Sequence, residues 1–242
     1  MRPPKRRRIP IKTYASDHYI FHFQPGSLAE KDIAAIAQEQ ERCFSRICAA
    51  LKVDGLDPIH YFLLDSPEEV GVLFGGSEPI NGFAVWGENK IYAVYNEQIQ
   101  CIGAHEDAHL ISFSLNAPKS AFIAEGLAMY FDETWWGLPN ETWAAYYRSV
   151  GRALSVAELL LGDGFYDADC MISYPIAGAF TKYLIDTFGM DPYLELYQVK
   201  GATYCEAFVR IFGHSIAELE VCFWAHMEKT TLDIPVIEAL LT

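Results

Sequence analysis

Residues 101–115 read CIGAHEDAHLISFSL, and at their centre His105, Glu106 and His109 follow the pattern His-Glu-x-x-His. On a helix, residues four apart lie on the same face, so both imidazole rings can approach one ion while Glu106 lies beside them. Zinc accepts imidazole nitrogen, and catalytic zinc sites combine three protein ligands with one open position. Because composition alone can produce so short a pattern, its interpretation depends on a third ligand.

A candidate third ligand lies in the next apolar stretch, SAFIAEGLAMYFDE at residues 120–133, where Glu125 stands among mostly apolar neighbours. Residues 116–118, Asn-Ala-Pro, predict a turn that ends the first helix and returns a second one over the histidine pair. On a buried helix an unpaired acid is unfavourable, and a metal is the simplest compensation; the alternative is a solvated helix residue. We therefore expect Zn²⁺ bound by His105, His109 and Glu125, with Glu106 as general base.

The stretch HEDAHLISFSLNAPKSAFIAEGLAMYFD, residues 105–132, resembles the zinc core of the gluzincin metallopeptidases, closest to their peptidase MA-like, aminopeptidase-related group. The resemblance implies a thermolysin-like zincin catalytic domain and a zinc metallopeptidase that acts on a peptide or protein substrate. The strand KIYAVY, residues 90–95, resembles the edge strand with which this group binds extended peptide; an internal core strand is the equally open alternative. The Gly-Ala-Met-Glu-Asn segment of aminopeptidases is not visible, so cleavage within chains and cleavage at their ends both stay open.

A second segment, SYPIAGAFTKYLIDTFG at residues 173–189, resembles the group's later helix, which carries a tyrosine that stabilises the tetrahedral oxyanion. By that match the candidate is Tyr174, and a phenol is a suitable hydrogen-bond donor for a developing negative charge. The spacing differs from the aminopeptidase pattern, because three residues instead of two separate Tyr174 from Gly178. Core packing is the alternative role for this tyrosine.

The secondary-structure pattern predicts the α+β class: a small N-terminal mixed β-sheet with a covering helix, packed on a mainly α-helical C-terminal lobe. We expect a basic, disordered tail at residues 1–12 and one zincin-like domain at 13–242, with a β-rich lobe at 13–96 and a helical lobe at 97–242. The strands are predicted at 18–23, buried largely on both faces, and at 59–64 and 89–95. The helices are predicted from Ser27, from Ser66, and at 97–115, 120–132, 139–150, 155–161, 173–188, 191–199 and 215–229.

Composition limits the partners and the compartment. The 242 residues carry a net charge of −14 although five basic residues stand at positions 2 and 5–8, so nucleic acid is an unexpected partner for the acidic remainder. No apolar run is long enough to span a membrane and no secretory signal follows the basic start, so we expect a cytoplasmic protein. The six cysteines lack metal-binding or disulfide spacing and are expected to be reduced core residues.

Two alternatives to a general peptidase stay open. One is a catalytically inactive zincin-fold protein that binds or regulates a partner, although the intact Glu106 argues against it. The other is a zinc hydrolase dedicated to a non-peptide amide or to a single partner substrate. Metal-bound histidines normally donate their other ring proton to a carboxylate or a carbonyl group, which orients the ring. The candidates for such a carboxylate are Asp132, Asp107 and Asp169.

Overall fold

The structure, a computed structural model, describes residues 11–200 and 203–241. It confirms the α+β class, with a small mixed sheet and many helices. The chain divides into two compact units: the described residues up to Ala49 with Asp54–Leu110, and Ala50–Val53 with the described residues from Ile111 onward. The basic tail predicted at residues 1–12 lies, up to residue 10, outside the described residues. No helix in the described part of the chain has the length and apolar character needed to cross a bilayer.

The sheet of the first unit has five strands in the order β1-β2-β3-β5-β4. The three central strands run parallel, and the two outer strands, β1 and β4, each pair antiparallel with a neighbour. Burial alternates along β2 and β3, so one face lies in the core while the other is half-exposed. The prediction that residues 18–23 are buried largely on both faces holds for the face of Tyr19, Phe21 and Phe23, whereas Ile20 and His22 are only half-buried. The strands are β1 (Lys12–Ala15), β2 (Tyr19–Phe23), β3 (Ile59–Leu64), β4 (Gly82–Val85) and β5 (Lys90–Val94).

Two helices of the first unit begin at the predicted serines. The helix α1 (Leu28–Leu51) starts after Ser27, whose hydroxyl accepts a hydrogen bond from the Glu30 N–H. Its apolar face covers the sheet, where Phe44 meets the ring of Tyr19 edge-on. The helix α2 (Pro67–Phe74) starts after Ser66, with proline at its first position.

The helix α3 (His105–Ser112) is shorter than the helix predicted at 97–115. The Asn96 side chain accepts hydrogen bonds from the N–H groups of Gln98 and Ile99, which favours a turn at this point over a helix. Gly103 then takes a φ of +125°, a backbone conformation that glycine adopts far more readily than other residues. The helix consequently begins at the first histidine of the motif.

The second unit is almost entirely helical, and its centre is α7 (Cys170–Phe188) packed against α4 (Ala121–Asp132) and α5 (Asn140–Ser149). The helices predicted at 120–132, 139–150, 155–161, 173–188, 191–199 and 215–229 are all present, with shifted ends. The sequence reading missed α9 and α11 and the short hairpin of β6 and β7. The remaining elements are β6 (Thr134–Trp135), β7 (Leu138–Pro139), α6 (Val156–Leu161), α8 (Met190–Tyr197), α9 (Tyr204–Phe212), α10 (Ile216–Met227) and α11 (Ile234–Ala239).

All six cysteines are free thiols, but the expectation that they belong to the core is wrong for the three that are exposed. Cys43 is buried and Cys48 and Cys101 are half-buried, whereas Cys170, Cys205 and Cys222 are exposed. Amphipathic helices such as α9, which carries Cys205, and α10, which carries Cys222, place exposed positions directly beside apolar ones in the sequence. Apolar neighbours in the sequence therefore do not show that a cysteine is buried.

Candidate metal centre

The two histidines of the motif lie one turn apart on α3. Their ring centroids are 4.9 Å apart and the ring planes are nearly perpendicular, at 82°. This is the arrangement that the spacing of four predicts, since both side chains leave the helix on the same side.

The opposite face of α3 is fixed by a buried carboxyl group. Asp107 has no solvent exposure, and its Oδ2 accepts hydrogen bonds from the Tyr19 hydroxyl at 2.7 Å and from Gln40 Nε2 at 2.8 Å. Burial raises the pKa of the Asp107 carboxyl well above its usual range. Gln40 also bonds both the N–H and the carbonyl of Gly103, at 2.8 and 3.0 Å, which fixes the start of the helix. Asp107 thus holds α3 to β2 and α1 through a hydroxyl and an amide.

The carboxylate of Glu106 lies against the strand β4. A Cβ atom placed on Gly82 would stand 3.1 Å from Glu106 Oε1 and 3.1 Å from Cys101 Sγ. Because β4 is the last strand of the sheet order, this glycine brings the expected general base next to a sheet edge. The sequence left two interpretations of KIYAVY equally open, an edge strand and an internal core strand; β5 lies between β3 and β4, so the core-strand alternative is correct.

The expected third ligand, Glu125, lies on α4 and is only 7% exposed. The helix begins after Ser120, whose hydroxyl donates to the carbonyl of Leu160 at 2.8 Å. One carboxylate oxygen of Glu125, Oε1, accepts a hydrogen bond of 2.8 Å from the hydroxyl of Tyr166. Burial of the phenol and the adjacent Glu125 carboxylate raise the pKa of Tyr166, so this hydroxyl keeps its proton. Sequence reasoning missed Tyr166, since a tyrosine in a glycine- and aspartate-rich loop carries no motif.

His105, His109 and Glu125 each offer one ligand atom, and these three atoms lie within 4.8 Å of one another. Atoms that bind one zinc ion at about 2.1 Å lie at most about 4.2 Å apart, so small side-chain rotations would bring the three donors to an ion. Two imidazole nitrogens and a carboxylate oxygen are the donor set that borderline cations such as Zn²⁺ prefer. The residues present therefore fit the metal that the motif implies.

Tyr174 lies near the start of α7 and is half-buried between two aromatic neighbours. Its ring stacks on Trp135, with centroids 5.6 Å apart and planes 16° from parallel, and lies 5.2 Å from the ring of Phe165. The glycine of the match, Gly178, has a packing role, because a Cβ there would come within 2.7 Å of Asn140 Nδ2 and Met129 Cβ. The role of Tyr174 stays a prediction.

Comparisons with known proteins add little to this geometry. No protein-family model matches the chain, and no curated protein matches it either. Among solved structures, the chain is similar to an aminopeptidase N family protein from Idiomarina loihiensis, with a TM-score of 0.44 and 12% sequence identity. The similarity covers 95% of this chain and 43% of that protein, so the chain spans less than half the length of its structural neighbour. A likeness this distant carries no argument about activity.

Proposed function

We propose that this protein is a zinc-dependent metallopeptidase that hydrolyses peptide bonds. The observation that carries the proposal is the convergence of His105, His109 and Glu125, whose ligand atoms lie within 4.8 Å of one another. A site that served structure alone would have no need of Glu106, a carboxylate next to the first ligand on the same helix.

In this proposal the two imidazoles and the Glu125 carboxylate would hold the ion. When bound, zinc lowers the pKa of a coordinated water to about 7 and polarises the carbonyl under attack. Glu106 would accept a proton from the attacking water at its carboxylate and later deliver it to the departing amine nitrogen. Tyr174 is the proposed donor to the oxyanion.

The position of β4 supports peptide as the substrate class. An edge strand has unpaired backbone groups on its outer side, and an extended peptide can add to it as a further strand. Gly82 of this strand lies against the Glu106 carboxylate, so a peptide added there would run past the expected general base. We therefore transfer the substrate-binding role from β5, which is internal, to β4.

The test is Glu106→Gln, measured together with metal content. The purified protein should bind about one zinc per chain and cleave members of a proteome-derived peptide library, and a chelator should abolish the cleavage. The variant should keep its zinc and lose at least about a hundredfold in turnover, because it lacks the base. Normal cleavage by Glu106→Gln would refute the assignment of the base.

Mapped cleavage sites in the same experiment separate the open alternatives. Cuts within peptides and cuts at their ends distinguish endopeptidase from exopeptidase action. Stoichiometric zinc without cleavage of any peptide would refute a general peptidase and favour a zinc-containing binding protein or a hydrolase with a dedicated substrate.

A further inference from the structure

Tyr166 joins an exposed loop to a buried carboxylate. The residue as a whole is 64% exposed, yet its hydroxyl reaches Glu125, which is 7% exposed, and donates to Oε1 at 2.8 Å. An exposed tyrosine with no role at the site would place its hydroxyl in water, where it has many hydrogen-bond partners. The Tyr166 hydroxyl instead makes a specific hydrogen bond, in which a neutral donor meets a charged acceptor.

The loop that carries Tyr166 is fixed to α4 by its neighbour in the sequence. Phe165 is 1% exposed and meets Phe122 edge-on, with ring centroids 6.1 Å apart. Phe122 lies three residues before Glu125, so it occupies the same side of α4, one turn earlier. The phenol next to Phe165 is consequently placed at the level of Glu125.

Two sets of hydrogen bonds hold the ends of this segment. The Ser120 hydroxyl donates to the Leu160 carbonyl, which joins the start of α4 to the end of α6. The N–H groups of Asp167 and Ala168 both donate to the Gly164 carbonyl, which closes a tight turn around Phe165 and Tyr166. The donor is thus carried by an ordered turn, and its position relative to Glu125 is set by packing.

We propose that Tyr166 is a positioning residue for the metal ligand Glu125. By holding Oε1, the phenol fixes the rotation of the carboxylate about its last side-chain bond and so sets the direction in which the second oxygen points. A carboxylate that is already oriented loses less freedom when it binds an ion, and such supporting contacts to metal ligands commonly contribute about 10- to 100-fold in affinity. This inference rests on the proposed function, because it takes Glu125 to be a ligand.

The test compares the zinc affinity of the wild type, Tyr166→Phe and a matched control, measured by competition with a chromophoric chelator. The control is Tyr95→Phe, which removes a phenol bonded to a carboxylate elsewhere, at 3.1 Å from Asp32 Oδ2. We expect Tyr166→Phe to bind zinc about 10- to 100-fold more weakly and Tyr95→Phe to bind it like the wild type. Circular dichroism and the thermal midpoint establish that each variant is folded.

Activity at saturating zinc separates positioning from a direct part in the reaction. If Tyr166 positions the ligand, kcat per bound zinc should stay within about threefold of the wild type once the site is filled. Unchanged zinc affinity would overturn the inference. If kcat at full occupancy were also largely lost, the phenol would act on the substrate instead of positioning Glu125. A wild-type protein that binds no zinc would instead refute the proposed function itself.

Discussion

Gly82 and Glu106 are in such close proximity that a side chain on the glycine would reach the carboxylate: a Cβ there would lie 3.1 Å from Glu106 Oε1. That separation is tighter than ordinary van der Waals contact, and Cys101 Sγ at 3.1 Å and the Tyr92 carbonyl oxygen at 3.3 Å would be crowded as well. Of these three atoms, Glu106 Oε1 is at the end of the longest and most flexible side chain, so we expect a methyl group at position 82 to change the orientation of Glu106.

This relationship predicts a catalytic effect of Gly82→Ala. The added methyl group should push the Glu106 carboxylate away from β4 and lower kcat about tenfold or more, because a general base works only at hydrogen-bond distance from its proton. Zinc content and thermal midpoint should change little. The measurement is steady-state peptide hydrolysis, with Gly76→Ala as control, since a Cβ at Gly76 would meet its neighbours at ordinary distances of 3.8 and 3.9 Å. Equal turnover of both variants and the wild type would contradict the assigned role of Glu106.

The local parts of the site could be predicted from the sequence, and the non-local parts could not. The spacing of His105 and His109 and the apolar flanks of Glu125 are properties of single helices, and both helices are present, although α3 is shorter than predicted. The strand β4 is four residues long and begins with glycine, so it carries little strand signal of its own. β4 lies at the edge because its partner β5 pairs with β3 on the opposite side. The pairing of β3 with β5 joins segments that are distant in the sequence.

The contact of Tyr166 with Glu125 has a similar origin. Nothing in the composition of the loop at 162–169 favours a tyrosine that contacts a carboxylate 41 residues earlier in the sequence. The contact arises because Phe165 is buried against Phe122, a tertiary event that no residue pattern records. Loop residues around a motif are therefore the part of a site most easily missed.

The close approach of α4 and α7 predicts a stability effect of Gly126→Ala. A Cβ on Gly126 would lie 2.4 Å from Thr181 Oγ1 and 3.0 Å from the Ala177 carbonyl oxygen, so the helices would have to separate. We expect a loss of about 1–3 kcal/mol in the free energy of unfolding, the usual range for an overfilled core. Urea denaturation measures it.

A double variant tests the cause of that loss. Adding Thr181→Ala to Gly126→Ala removes the oxygen that the new methyl group would meet. The losses in free energy of unfolding of the two single variants should therefore add up to more than the loss of the double variant. Strict additivity, or no loss in Gly126→Ala, would be inconsistent with the close approach of these helices.

The distribution of the cysteines predicts which thiols react in the native protein. Cys170, Cys205 and Cys222 are exposed and should be alkylated readily by iodoacetamide at pH 7.5. Burial raises the pKa of the Cys43 thiol to about 12, so its reactive thiolate is scarce as well as inaccessible. Burial likewise raises the pKa of Cys48 to about 11. Peptide mapping by mass spectrometry should find the three exposed sites modified first and Cys43 modified only after denaturation; rapid native labelling of Cys43 would contradict the packing of α1.

A cluster around Glu41 predicts a pH-dependent contribution to stability. The Glu41 carboxylate accepts hydrogen bonds from the Ser16 hydroxyl at 2.6 Å and the His18 N–H at 2.8 Å, and it lies 2.6 Å from His18 Nδ1. Burial opposes the charge, but these hydrogen bonds outweigh it and the net effect lowers the pKa of Glu41. Because the folded protein favours the ionised form, the stabilisation is complete above the unfolded pKa of about 4.3 and is lost as the pH falls through the lower folded value.

Glu41→Gln should therefore lower the free energy of unfolding by about 1 kcal/mol at pH 7, because its half-buried hydrogen bonds are no longer made to a charged group. The difference from the wild type should shrink below about pH 4. Urea denaturation at pH 7, 4 and 3 measures the difference, and Glu97→Gln, at an exposed position, controls for the loss of one negative charge. The sign follows from the direction of the shift: a carboxyl whose folded pKa is lowered binds fewer protons in the folded state, so acid favours unfolding of the wild type more than of the variant. A difference that grew as the pH fell would mean that the surroundings of Glu41 disfavour its ionised form. The contacts of Ser16 and His18, in the turn between β1 and β2, with Glu41 on α1 would then be weaker than their distances indicate.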